Sequence, residues 1–142
     1  VAKINLYLEA TGEVPEITEF LVDISAGDIW TFLDHLRSGR GDKAREELSK
    51  LYRSETNDQY LIAMLSREIS IIRDLLIAKR DKVAESKLKL HPFVIKKTKQ
   101  SLSRFSEAKV FKLTQALLRL DTAIKSGKIN PQVGITLYTL SW

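Results

Sequence analysis

Between Asp58 and Arg80 the apolar residues recur at spacings of three and four, without the strict alternation of a strand. Ile62, Leu65, Ile69, Ile72 and Leu76 form one seam. Leu61, Met64, Ile71 and Leu75 form a second seam beside it, interrupted by Glu68. A single seam needs one packing neighbour, whereas two adjacent seams need neighbours on two sides. The pattern therefore predicts a long helix at the centre of a helical bundle, and because strand signals are nearly missing along the chain an all-α architecture is expected.

The flanking sequence follows the same period. Ile4, Leu6, Tyr7 and Leu8 read as the end of a helix stopping before Gly12, and Pro15 opens a turn. A short helix is expected through Ile17, Phe20, Leu21 and Ile24, and Ser25-Ala26-Gly27 breaks it, marking a domain boundary. Asp28 caps a helix carrying Ile29, Phe32, Leu33 and Leu36, with His35 at its boundary. Gly39 to Gly41 ends that helix. Asp42 is expected to cap another with Ala44, Leu48, Leu51 and Tyr52 inward, and Glu46 and Lys50 form a surface pair. Thr56-Asn57-Asp58 opens the long central helix. A short helix follows over Val83 to Leu88, and His91-Pro92 starts a helix pointing Val94, Ile95, Thr98 and Leu102 to one side. Ser106 opens a helix through Val110, Leu113, Leu117, Leu120 and Ile124, closed by Gly127. Asn130-Pro131 starts the last helix, with Val133, Ile135, Leu137 and Leu140. The fold expected is a bundle of roughly six to eight helices.

The chain of 142 residues contains no cysteine, which excludes disulfides and thiolate metal sites and fits a reducing cytoplasm. The apolar runs are too short to span a membrane, and the N-terminus lacks the pattern of a signal peptide. It also lacks an initiator methionine, so a piece of a longer protein is expected. Charge is unevenly spread: residues 1–28 hold six acids against Lys3 alone, whereas Lys79 to Lys112 hold eleven Lys or Arg against Asp81, Glu85 and Glu107. Such a stretch attracts phosphates or an acidic partner, and it is equally the solvated face of a helix.

Few residues have the arrangement catalysis needs. His35 and His91 lack the helix-spaced partners of a metal site and read as structural, His91 ordering its turn. Glu46 and Glu47 diverge by about 100° on a helix and cannot act on one bond as acid and base. No phosphate-cradling glycine loop occurs, so no nucleotide, metal or other cofactor is expected. Arg67 lies mid-helix and is not read as an arginine finger. Val83 to Leu90, the His91-Pro92 turn and the helix beyond resemble a helix-turn-helix. A recognition helix needs polar side chains in its first turns, however, and Phe93, Val94 and Ile95 there call for burial. Phosphate contact needs only charge, and Lys96, Lys97, Lys99, Lys125 and Lys128 near helix ends are its candidates.

Three stretches carry a family resemblance: Asp28-Ile29-Trp30-Thr31-Phe32-Leu33-Asp34, His91-Pro92-Phe93-Val94-Ile95-Lys96-Lys97, and the closing set Asp121, Lys125-Ser126-Gly127 and Pro131. In order and spacing they resemble the C-terminal part of the delta subunit of bacterial DNA polymerase III, a component of the sliding-clamp loader. Trp30, His35 and Leu88-Lys89 depart from the family's usual residues. The resemblance implies that residues 1–26 are the end of a lid domain and residues 27–142 a clamp-loader collar that joins subunits into a hetero-pentamer. It implies no catalytic site and no ATP site in this chain, and it places the clamp-binding region outside it. DNA contact would be weak and auxiliary, and the setting is the cytoplasm during DNA replication. The alternative is a stand-alone, helix-turn-helix-like nucleic-acid-binding module. A small helical enzyme is a third reading, without a convergent polar set to support it.

Overall fold

The computed structural model describes residues 27–142, and the expected lid segment over residues 1–26 lies outside them. The described residues form six α-helices and two short 3-10 turns, with no strand among them. These are α1 (Ile29–Arg37), α2 (Gly41–Arg53), α3 (Asp58–Asp81), α4 (Pro92–Lys99), α5 (Glu107–Lys125) and α6 (Pro131–Thr139). The 3-10 turns, Glu85–Leu88 and Leu102–Arg104, flank α4.

The central-helix expectation holds. Along α3, Leu61, Ile62, Leu65, Ile69, Ile71, Ile72 and Leu75 are all buried, and they belong to one core with Phe32, Leu36, Leu48, Leu113, Leu117 and Ile135. Helix α3 packs against α4, α5 and α6, while α1 pairs with α2 and α2 reaches α6. A helix with two adjacent apolar stripes thus has more than one packing neighbour, as that pattern requires. Glu68 does not interrupt the second seam by turning outward. It is itself buried, 4% exposed.

Helix starts follow local chemistry. Asn57 Oδ1 accepts from the backbone N–H groups of Gln59 and Tyr60, Ser106 Oγ from that of Lys109, and Asn130 Oδ1 from that of Val133. Each satisfies donors that have no intrahelical acceptor. Asp28 does the same for Trp30 and also takes the Thr31 hydroxyl. Helix α2 differs from expectation. It begins at Gly41 with no side-chain cap, and Asp42 sits in its first turn, bonded to Arg45 at 2.7 Å. Lys50 pairs with Glu47, not Glu46. The segment expected as a helix over Val83 to Leu88 is only the four-residue 3-10 turn Glu85–Leu88, set between Lys82, which ends α3 in the left-handed conformation, and Lys89, which ends the turn in the same conformation, each with φ of 55°.

The α1–α2 corner depends on Gly39, whose φ of +79° is unfavourable for a residue with a β-carbon. The Arg104 guanidinium packs against that glycine and donates to the carbonyls of Leu36 and Arg37. An arginine from the basic stretch therefore satisfies the C-terminal end of α1, where a cation also complements the helix dipole.

Candidate functional site

Where α1, α3 and α4 meet, four charged side chains form a chain of contacts. Arg37, 6% exposed, donates to Glu68 on α3 and to Asp34 one turn before it on α1. The second oxygen of Asp34 accepts from Lys97 Nζ of α4 at 2.7 Å. Burial pushes the Glu68 carboxyl above its ordinary value of 4.5, and the adjacent Arg37 and more distant Arg67 oppose that rise. The network ties three helices together through charge-assisted hydrogen bonds. It lacks a nucleophile paired with a base, and its arginine is committed to carboxylates, so its chemistry is positional.

The histidines take the structural roles expected of them. His91 Nδ1 accepts from the Phe93 backbone N–H at 3.1 Å, capping α4, and His35 Nδ1 accepts from Arg40 Nε at 3.0 Å.

The five candidate phosphate-contact lysines are not equivalent. Lys97 is bound to Asp34, Lys99 to Glu85 at 2.6 Å, and Lys125 to Asp121 at 2.9 Å. Lys96 and Lys128 are exposed and make no ion pair among the described residues. The wider basic stretch is divided among elements. Arg80 at the end of α3 is held by Asp81 and by Glu107 at the start of α5, Arg104 caps α1, and Lys109 lies over the Phe105 ring. It does not present a single run of free cations on one helix.

The first turn of α4 also differs from expectation. Ile95 is buried and Val94 half-buried, but Phe93 is 59% exposed. It turns outward because the His91 cap and Pro92 set the helix so that Ile95 and Thr98 face the core.

Periodicity alone did not separate inward from outward apolar residues on the last two helices. On α6, Ile135 and Tyr138 are buried, the latter donating its hydroxyl to the Leu113 carbonyl at 2.9 Å. Val133, Leu137 and Leu140 instead lie exposed along another face, at 53%, 55% and 63%. On α5, Phe111 and Leu118, two helical turns apart, are 61% and 63% exposed. Apolar side chains repeating at helical spacing on the outside of a folded bundle mark surface that association would cover. The signal was present in the sequence as apolar residues at Phe111 and Leu118, outside the stripe Val110–Leu113–Leu117–Leu120 that supplies the core.

No curated protein and no solved structure matches the chain. The family described as DNA polymerase III delta subunit, C-terminal domain, matches residues 26–142. That match covers most of the chain and every helix described above, and the family implies the role of a clamp-loader component. The chain belongs to the family of C-terminal domains of the DNA polymerase III delta subunit.

Proposed function

We propose that this chain is the non-catalytic collar of its clamp-loader subunit, holding it in a hetero-pentameric ring with the other loader subunits for loading of the sliding clamp during DNA replication. Its setting is the cytoplasm. No helix among the described residues is long and apolar enough to cross a membrane. The collar comprises residues 27–142, following the end of the lid domain over residues 1–26, and the clamp-binding element and any ATP site belong to other parts of the assembly. The observation that carries this reading is the uncovered apolar surface of α5 and α6. Among the described residues, Leu118, Leu137 and Leu140 lie outside the buried core and stay exposed. Association with a neighbouring subunit would remove them from water at about 25 cal/mol per Å² of apolar area.

The test is reconstitution. Leu118→Asp and Leu137→Asp introduce charge where burial on assembly is expected. Each should reduce co-purification with the other loader subunits at least about tenfold, as loss of a central interface contact does. Their unfolding free energies should stay within about 0.5 kcal/mol of the parent chain, because both sites are exposed in the folded domain. Unchanged assembly of both variants would count against these faces.

DNA contact, on this reading, is auxiliary. Lys96 and Lys128 have no ion-pair partner among the described residues, while Lys97, Lys99 and Lys125 would have to leave carboxylates to reach a phosphate. Duplex DNA should bind the isolated chain weakly, without sequence preference, and the affinity should fall steeply with salt through counterion release. Replacing Lys96, Lys97 and Lys99 together should weaken it evenly across sequences. That replacement also removes the links to Asp34 and Glu85, so a small stability loss of about 1 kcal/mol or less per pair should accompany it. Tight, sequence-selective binding at physiological salt, measured by fluorescence anisotropy, would favour the helix-turn-helix alternative. The segment before α4 is a single 3-10 turn, which leaves that alternative without its first helix.

A further inference from the structure

A cleft of about 310 Å³ opens between α1, α3 and α4, above the Arg37–Glu68 contact. Leu33 and Val94 contribute to its apolar lining. Two aromatic side chains from different helices stand at it largely uncovered: Trp30 of α1, 55% exposed, and Phe93 of α4, 59% exposed. Each carries a cation against its ring. The Arg67 guanidinium carbon lies 5.7 Å from the Trp30 ring centroid, and Lys97 Nζ lies 5.6 Å from that of Phe93.

The charges around the cleft do not balance. Arg37, Arg67 and Lys97 line it, against Asp34 and Glu68. Both carboxylates are taken by Arg37, and Asp34 also holds Lys97. Arg67 has no carboxylate partner among the described residues. In addition, Arg37 Nε is buried with no hydrogen-bond partner. A buried arginine donor left unmatched is uncommon, because the desolvation cost of such a group is not recovered. The site therefore combines exposed aromatic surface, a concave apolar lining and one uncompensated positive charge.

We propose that this cleft is a docking site for an acidic segment of a partner protein, with an apolar or aromatic anchor side chain between Trp30 and Phe93 and a carboxylate on Arg67. Aromatic residues and arginine are the side chains that dominate such contacts. The balance of charge favours a peptide over a nucleic acid. A polynucleotide track needs a row of free cations along its backbone, whereas one unpaired arginine beside two engaged carboxylates suits one or two acidic side chains. The cleft lies on α1, α3 and α4, apart from the α5 and α6 residues argued to meet other loader subunits, so the two assignments fail independently.

The experiment uses the whole chain and a short fluorescein-labelled peptide with a central leucine–phenylalanine pair flanked by glutamates, read by anisotropy and by Trp30 fluorescence. Saturable binding with a blue shift of the Trp30 emission is expected, and the shift should vanish in Trp30→Phe. Arg67→Glu and Phe93→Ala should each weaken binding at least about tenfold. The unfolding midpoint of Phe93→Ala should stay near that of the parent chain because that side chain is exposed, and Arg67→Gln, which removes the cation without adding a carboxylate beside Glu68, should weaken binding in the same direction. A peptide with alanines for the leucine–phenylalanine pair, or lysines for the glutamates, should not bind. Equal binding of the lysine peptide, indifference to Arg67→Glu, or no binding of the acidic peptide at millimolar concentration would overturn the proposal. Tighter binding of a labelled oligothymidine, weakened by the same substitutions, would assign the cleft to single-stranded nucleic acid instead and likewise overturn it.

Discussion

Replacing Ile72 with alanine should lower the unfolding free energy by about 2–5 kcal/mol. Ile72 has no exposed surface and sits midway along α3, the helix that packs against α4, α5 and α6. Truncation there removes apolar atoms from the core and leaves a cavity in a fully buried position. The cost within that range increases with the cavity that persists. Leu76 lies one turn further along the same seam but is only half-buried, and Leu76→Ala should cost distinctly less. Urea unfolding of the two variants checks the claim: the Ile72→Ala midpoint should fall well below that of Leu76→Ala, with little change in slope. A loss under about 1 kcal/mol for Ile72→Ala would mean that α3 is not the centre of the bundle.

That helix was legible because its information is local. Apolar spacing along one segment fixes which faces are buried, and the caps Asp28, Asn57, His91, Ser106 and Asn130 announce themselves by residue type beside the first turn they serve. What the sequence hid is pairing at long separation. Glu68 reads as a gap in an apolar seam until Arg37, 31 positions earlier, is placed against it. Lys97 reads as a free cation until Asp34, 63 positions away, takes it, and Arg104 reads as part of a basic patch until it closes the end of α1. The same limit applies to the apolar faces. Periodicity marks Val133, Ile135, Leu137 and Leu140 alike, but only packing against α2, α3 and α5 decides that Ile135 goes inward and the others remain uncovered. The surfaces proposed for partners are thus the part of the molecule least visible in one dimension, since they are defined by what the rest of the fold leaves over.

Arg37→Ala should be among the most damaging substitutions in the protein, at about 3–5 kcal/mol, because it strands Glu68 as a buried carboxylate without its counter-ion. The pH dependence separates this cause from simple loss of packing. In the parent chain burial already holds the Glu68 carboxyl above 4.5, with Arg37, Arg67 and Asp34 the charged groups acting on it. A carboxyl raised in the folded state keeps a proton that the unfolded chain has released. The contribution of Glu68 to stability therefore falls as pH rises from the unfolded value through the folded one, and levels off above it. Removing Arg37 takes away the strongest opposing influence, so the folded value climbs further and the decline extends to higher pH. The deficit of Arg37→Ala relative to the parent should accordingly be largest near neutral pH and shrink as the solution is acidified and Glu68 becomes neutral. Glu68→Gln in the Arg37→Ala background should flatten that profile and recover part of the loss at neutral pH. Pairing Arg37→Met with Glu68→Leu, which replaces the whole ion pair by apolar volume, should cost far less than Arg37→Ala alone. Denaturant unfolding of these variants across the pH range reads each outcome. A deficit for Arg37→Ala that stays constant with pH and is untouched by Glu68→Gln would show that the arginine acts through its packing and its bond to Asp34, not through the buried charge of Glu68.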